Sequence, residues 1–319
     1  MLLQVRAITE EAEGIRSFEL TDPDGLDLPA FAAGSHVDLT VPGGPIRQYS
    51  LCNDPAERHR YCIAVLREPG GRGGSRLMHD AVQVGDLLQV SVPRNTFPLE
   101  ETAERHLLIA GGIGVTPLLS MISRLQRIGA QFELHYCTRS PERTAFRAAL
   151  EPLAAAGQVR FHHDGGDPSR GLDVVALLDG IADARTHLYC CGPAGLMAAV
   201  QRAAAHWSSN RLHFEHFAAP ADPRSTAGAV PADPVFEVEL ASSGRVLTVR
   251  PEQSILSVLE ASGLSPDSSC EAGICGACRT RYLGGEVDHR DVVLTDVERA
   301  DHLMICVSRS KGPRLILDL

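Results

Sequence analysis

The sequence has no apolar run near the roughly 18 residues that a membrane-spanning helix needs. Its opening, MLLQVRAITEEAEGIRSFEL, reaches charge at Arg6 without an apolar signal core or a small-residue cleavage site. A cytoplasmic protein with no membrane partner is therefore expected. Long low-complexity tracts are also missing, so nothing requires a disordered chain. Basic residues are in deficit: 30 Lys and Arg stand against 40 Asp and Glu, a net charge of −10. That balance disfavours a phosphate-rich partner, and no nucleic-acid binding is expected. No Ser–His–Asp or paired-carboxylate constellation is visible, and His36, His162, His163 and His289 read as surface or structural residues.

What is present describes a soluble multidomain protein. The 319 residues, 44% hydrophobic and 22% charged, suit two or three domains at roughly 150 residues each. Nine cysteines are many for a reducing compartment. Cys52, Cys62, Cys137, Cys190 and Cys191 lie in apolar, strand-like surroundings, where buried cysteine acts as a small hydrophobe. The other four form a pattern: Cys270, Cys275 and Cys278 give C-x4-C-x2-C, and Cys306 follows after 27 intervening residues. This is the plant-type ferredoxin arrangement for a [2Fe–2S] cluster. Gly273 and Gly276 supply the backbone freedom a wrapping loop needs to aim N–H groups at sulfur. Zinc is the alternative, but zinc ribbons pair two C-x2-C knuckles and only Cys275 and Cys278 form one here. The flanking pattern, two alternating strands joined at SSG, a helix from Ser254 and later strands in RTRYLGGEVDH and RLILDL, predicts a β-grasp unit over 234–319. Before it, residues 218–233 are rich in Ala, Pro, Gly and Asp and read as a linker.

In the middle of the chain, RHLLIAGGIGVTPLLSMISRL runs from an apolar strand through Gly111, Gly112 and Gly114 into a helix, with Thr116 expected as its cap and Pro117 at its first position. Strand, glycine turn and helix form a nucleotide-binding layout, although a glycine turn alone suits a plain structural turn equally well. FELHYCTRS, ending near Arg139, and THLYCCGPAGLMAAV, breaking at Gly192–Pro193, add two further strand ends on what should be one edge of a parallel sheet. Ligands of open α/β sheets bind at that edge. The first hundred residues show short alternating strands, which argue for a small antiparallel barrel. Within it, RQYSL sets Arg47, Gln48, Tyr49 and Ser50 along one strand, and GGRGGS closes on Gly73, Gly74 and Ser75. Arg47 with those N–H groups could hold a phosphate and Tyr49 offers a flat ring, the two needs of a flavin mononucleotide. A surface arginine and a core tyrosine are the plainer readings.

RQYSLCND, GRGGS, AGGIGVTP, YCCGP, CEAGICGAC and CVSRS, in that order across nearly the whole chain, resemble the phthalate dioxygenase reductase and vanillate demethylase reductase family. The resemblance implies an antiparallel β-barrel flavin domain (1–101), an α/β nucleotide-binding domain with a parallel sheet (102–217), the linker, and a C-terminal plant-type ferredoxin domain. It implies a monomeric reductase carrying FMN and [2Fe–2S], oxidising NADH and serving a Rieske-type oxygenase component in aromatic catabolism. By the same resemblance, Arg47 and Gly73–Ser75 would hold the FMN phosphate, Gln48 and Tyr49 would line the flavin, and Ser50 would bond near its reactive N5. The backbone of Ala64, Val65 and Leu66 would also touch it, Leu66 departing from the lysine of relatives. Thr116 and Phe217 would reach it from the neighbouring domain. Gly111, Gly112 and Gly114 would face the NADH pyrophosphate, and Cys191, with Gly192 and Pro193, would lie near the nicotinamide. Ser50 and Cys191 are the residues expected nearest the hydride, and Cys270, Cys275, Cys278 and Cys306 the iron ligands. Arg139 could meet a 2′-phosphate but stands alone, and relatives of this kind use NADH. NADH gives two electrons as a hydride and the cluster accepts one, so a flavin between them is required. Glu271, next to the first ligand, is expected to lower the cluster's potential. Outside this reading, the rivals are a flavin or quinone reductase for small molecules, a redox sensor and a zinc-stabilised binding module.

Overall fold

The computed structural model describes residues 1–70, 73–181, 185–217 and 233–319. It divides into two compact units, Met1–Glu215 and His216–Leu319. The linker reading falls on residues 218–233, of which only Asp233 lies within the described residues. Among the described residues no helix is long and apolar enough to cross a membrane.

The first unit begins with alternating residues that put one face of each strand inside: Leu3 and Val5 on β1 (Leu2–Ala12), Phe18 and Leu20 on β2 (Ile15–Thr21), Val37 and Leu39 on β3 (Ser35–Thr40). With β4 (Ile46–Ser50), β5 (Tyr61–Leu66) and β6 (Leu87–Val90) they make an antiparallel sheet ordered β4-β3-β6-β1-β2-β5, and β7 (Arg94–Asn95) pairs with β3. Just beyond β4, the Cys52 N–H donates to the Cys62 carbonyl of β5 at 2.9 Å, so the two outer strands meet and the sheet closes as a barrel. A short helix, α1 (Gly74–Asp80), lies against β5, where a ring nitrogen of His79 meets the Val65 carbonyl at 2.8 Å.

The same unit continues as an α/β layer. Near-continuous apolar runs mark the central strands β8 (Arg105–Gly111) and β11 (Thr186–Cys191), with β9 (Gln131–Thr138) beside them and the more polar, partly exposed β10 (Val159–His163) and β12 (Leu212–Glu215) at the edges. They form an all-parallel sheet ordered β10-β9-β8-β11-β12, covered by α2 (Val115–Ile128), α3 (Arg147–Ala155), α4 (Val174–Asp179) and α5 (Ala194–Ala203). The strand order reverses between β8 and β11, the switch point at which open α/β sheets bind ligands. The helix after β8 does not start as the sequence suggested. A 3-10 turn over Gly112–Gly114 runs straight into α2, Gly114 is the cap position, and the Thr116 hydroxyl turns back to the Ile113 carbonyl at 3.0 Å. Barrel and sheet share a core in which Ala33 and Phe97 pack with Leu118 and Met121. The Gly34 N–H donates to Ser120 Oγ at 3.1 Å, and Arg143 pairs with Glu13 at 2.7 Å.

The second unit is a mixed sheet ordered β14-β13-β19-β15-β17, made of β13 (Phe236–Leu240), β14 (Arg245–Val249), β15 (Arg279–Gly284), β17 (His302–Met304) and β19 (Arg314–Leu317). A separate pair, β16 (Val287–Asp288) and β18 (Arg309–Ser310), flanks it. Helix α6 (Ile255–Ala261) starts at Ser254 as expected, with Ser254 and Ser257 capping each other's backbone, and buries Ile255, Leu256 and Leu259 in the core. Asp233 is fixed to this unit by two bonds from Arg290, at 2.7 and 2.8 Å, and faces Arg309 at 3.4 Å. Arg309 is buried, donates to the carbonyls of Gln253, Pro234 and Arg250, and lies 5.0 Å over the Phe236 ring.

Candidate functional site

Two sites emerge, one in each unit. In the first, strand ends do the positioning. Ser50 closes β4, and its hydroxyl donates to Glu215 Oε2 at 3.2 Å. Glu215 closes β12 in register with Cys191 of β11, which is itself in register with Ala110 of β8. Ser50 of the barrel, and Glu215 and Cys191 of the sheet, are thus brought to the same edge. Glu215 keeps part of its residue surface exposed, but its carboxyl is crowded by protein, and burial pushes its pKa up to about 8, the Ser50 hydrogen bond opposing this. The Cys191 thiol is pushed well up by burial, with the Glu215 charge adding to it. At neutral pH this edge holds a neutral thiol, and a carboxyl that is mainly protonated.

The glycines of this edge have different jobs. A Cβ on Gly114 would stand 2.2 Å from the Cys191 carbonyl oxygen and 2.8 Å from the Gly192 nitrogen, and one on Gly111 would stand 2.5 Å from Pro193 Cδ. Both are glycine because β8's turn presses against Cys191–Pro193. Gly112, at φ 53°, has open space where a side chain would be. Gly114→Ala is therefore expected to destabilise the chain by about 3 kcal/mol, the upper part of the usual overpacking range. Denaturant unfolding checks it: a midpoint equal to the parent's would refute the close packing.

In the barrel, Arg47 lies across the start of α1. A Cβ on Gly74 would meet Arg47 Cγ and Nε at 2.9 Å, and Gly73 takes φ 91° to begin the turn. The missing side chain lets the guanidinium stem and the helix backbone share one small cradle. Ser75 Oγ accepts the Glu68 N–H at 3.1 Å, Gln48 donates to Asp38 at 3.1 Å, and Tyr49 packs on the barrel core with its hydroxyl pushed up to about 12 by burial. Ala64, Val65 and Leu66 pair with β2 through Ser17, Arg16 and Ile15. Thr116 is buried beside Gly114, whereas Phe217 belongs to the second unit and is exposed.

The second site is the cysteine loop. Gly273 and Gly276 adopt φ 70° and 75°, and Glu271 joins them at 52°, so the chain between the thiols curls with its N–H groups turned inward. Ala272 N–H reaches Cys270 Sγ at 3.3 Å and Ala277 N–H reaches Cys275 Sγ at 3.5 Å. The four thiols meet as two pairs. Cys270 is held down to about 6 by the hydrogen bond from Cys275 and by backbone N–H groups, and Cys278 is lowered by the hydrogen bond from Cys306. Two ligands for each of two irons is the division a [2Fe–2S] centre needs, whereas four around one point would serve zinc. The residues fit the cluster.

Two carboxylates of these sites were not singled out by the sequence. Glu215 stands at the end of LHFE, and only its place at a strand end just before Phe217 marked it. Asp291, whose side chain is fully buried behind the cysteine loop, had no signal beyond its position in HRD.

Two stretches of the chain match known families. Residues 238–311 match the family described as 2Fe-2S iron-sulfur cluster binding domain, and residues 108–202 match the oxidoreductase NAD-binding domain. The chain is 48% identical over 326 residues to the tert-butanol monooxygenase / tert-amyl alcohol desaturase reductase subunit of Aquincola tertiaricarbonis, covering 99% of this chain and 95% of that one. It is 47% identical over 319 residues to the vanillate O-demethylase oxidoreductase of Pseudomonas sp. (strain HR199 / DSM 7063), covering 99% and 98%. The solved structure of phthalate dioxygenase reductase, described as modular for electron transfer from pyridine nucleotides to [2Fe-2S], superposes with a TM-score of 0.74 at 43% identity, covering 100% of this chain and 98% of that one. The chain belongs to the phthalate dioxygenase reductase and vanillate O-demethylase oxidoreductase family of iron–sulfur flavoprotein reductases.

Proposed function

We propose that the chain is the reductase component of a Rieske-type aromatic-ring oxygenase or demethylase system, with FMN, a [2Fe–2S] cluster and NADH as its cofactors. The observation that carries this reading is the pairing of Cys270 with Cys275 and of Cys278 with Cys306, in a chain that also brings Ser50, Cys191 and Glu215 to one strand edge. In this reading the functional parts are a flavin barrel over 1–101, a nucleotide domain over 102–217, a linker over 218–233 and a ferredoxin domain over 234–319. The protein is a cytoplasmic monomer, a setting that suits nine cysteines free of disulfides.

Each residue has a part in this scheme. Arg47 and the N–H groups of Gly73, Gly74 and Ser75 hold the FMN phosphate, the cradle at Gly74 leaving room for the arginine stem. Tyr49 gives a flat apolar wall, with the backbone of Gln48, Ala64, Val65 and Leu66 around it, and Thr116 completes the flavin surroundings within the first unit. Ser50 supplies a hydroxyl whose direction is set by Glu215. Gly112, with open space beside it, lets a pyrophosphate approach the turn that Gly111 and Gly114 pack in place. Cys191, Gly192 and Pro193 line the nicotinamide side, where a neutral, buried thiol excludes water without competing as a nucleophile. When bound, the flavin supplies the conversion of a two-electron hydride donor to one-electron transfers, and the cluster passes single electrons to the oxygenase. The protein's contribution is alignment and polarity, so no general base is required.

An anaerobic NADH titration tests this reading, followed by visible absorbance and low-temperature electron paramagnetic resonance, with the released flavin identified afterwards. Bleaching of the flavin, a reduced [2Fe–2S] signal and FMN in the supernatant are expected. Bleaching of flavin with no iron signal would overturn the electron path and favour a small-molecule reductase.

A further inference from the structure

Behind the cysteine loop lies a buried carboxylate, ringed by partly buried polar side chains, that the proposed electron path does not use. Three buried side-chain atoms there, His289 Nδ1, Asp291 Oδ1 and Arg299 Nε, have no hydrogen-bond partner among the described residues. They gather round one carboxylate. His289 Nδ1 stands 3.7 Å from Asp291 Oδ1, and Arg299 Nη2 stands 3.6 Å from Asp291 Oδ2. The Asp291 side chain is 0% exposed. A buried carboxylate with one unsatisfied oxygen is costly, and it is retained where it holds structure or sets a charge.

The contacts of Asp291 show what it holds. Its Oδ2 accepts the N–H groups of Leu294 at 2.9 Å and Val293 at 3.2 Å, which folds 291–294 into a tight turn. From that turn the Val292 N–H donates to the Gly273 carbonyl at 3.1 Å. Gly273 lies between Cys270 and Cys275, and a Cβ there would stand 3.2 Å from Asp291 Cα and 2.7 Å from Val307 Cγ2, the residue after Cys306. The turn closes on Gly273 from one side and Val307 closes on it from the other. Arg299 ties the arrangement down by donating Nη2 to the Asp291 carbonyl at 2.9 Å. Glu271, the carboxylate that the sequence placed next to the cluster, is exposed to solvent, where its charge is screened. The buried charge belongs to Asp291.

We propose that Asp291 is a positioning residue for the cluster: its carboxylate holds the turn that grips Gly273, and its fixed negative charge, opposed by Arg299, tunes the cluster's reduction potential. This inference rests on the cluster's being bound by the four cysteines. A buried anion behind the loop disfavours adding an electron, and a cation at the same place favours it. Opposite substitutions should therefore act in opposite directions, which a loosened loop would not produce.

The test uses the full-length, cluster-loaded protein and redox titration of the iron signal by electron paramagnetic resonance. Asp291→Asn is expected to raise the cluster potential and Arg299→Gln to lower it, each with the parent's line shape. Asp291→Ala, which removes the acceptor for Val293 and Leu294, is expected to shorten the lifetime of the cluster absorbance in air by about tenfold, the lower end of what second-layer losses cost at metal sites. Should Asp291→Ala fail to fold, the other two variants still decide. Unmoved potentials, or shifts of both variants in the same direction, would overturn the inference while the parent's iron signal leaves the electron path standing. A parent without that signal overturns both.

Discussion

Replacing Cys306 with serine is expected to abolish the iron signal and to lower NADH-driven reduction of a one-electron protein acceptor by ~100-fold or more, since outer-layer losses alone reach that size at metal sites. Reduction of ferricyanide directly from the flavin should survive. Cys306 is the informative position because it is the proposed ligand from outside the loop. It follows β17 and belongs to the second unit's core with Leu303, Met304 and Cys278. Its thiol is paired with Cys278, and a serine hydroxyl there keeps its proton and offers iron a poor ligand. The cluster, once bound, ties the loop to β17, so its loss should also make the second unit easier to unfold, as removal of a structural metal site does. Visible absorbance, iron content and the two acceptor assays together check this. A serine variant that keeps both the iron signal and the protein-acceptor rate would exclude Cys306 as a ligand.

The contrast between Cys306 and Glu215 shows what a sequence can carry. Metal ligands are limited by chemistry to a few residue types, and a loop that presents three of them must be short, so spacing alone marks Cys270, Cys275 and Cys278 as candidates. Ser254 and the β-grasp strands were legible for a similar reason, since capping and alternation act over a few residues. Glu215 depends on register: it matters because β12 lies beside β11 in step with Cys191, and because β4 of a different layer ends where Ser50 can reach it. No local pattern encodes that meeting. The glycines fall between these cases. Gly111, Gly112 and Gly114 were visible as a nucleotide turn, but two of the three are glycine because the segment from Cys191 to Pro193 presses on them, a long-range demand. Thr116 was misread as a cap because a 3-10 turn leads directly into α2, leaving the hydroxyl to satisfy Ile113 instead. Asp291 was hidden for the same reason as Glu215: burial behind a loop is a tertiary fact.

The second large effect concerns the pH dependence of stability, and it follows from Glu215. Its carboxyl has an ordinary value of 4.5 and is raised by burial to about 8 in the folded chain. The folded state therefore keeps a proton that the unfolded state releases as the pH passes 4.5. This contribution to stability is fully present below 4.5 and is lost as the pH rises through about 8, on the order of 4 kcal/mol over the whole window. Glu215→Gln keeps the size of the side chain and a neutral partner for Ser50, but has no proton to lose. The variant is expected to match the parent near pH 5 and to unfold at a clearly higher temperature at pH 9, by roughly 10 °C for a unit of this size. Thermal unfolding of both proteins across that range is the measurement, and parallel curves would show that the Glu215 carboxyl titrates as an ordinary one. The cost at high pH also bears on function. In the proposed reading, a carboxyl that must stay protonated to be comfortable keeps the edge shared by Ser50 and Cys191 free of negative charge at neutral pH, so no carboxylate would oppose the negative charge that a flavin gains on reduction. Loss of that neutrality above about 8 should appear as a falling limb in the parent's NADH–ferricyanide rate, and the glutamine variant should lack the limb.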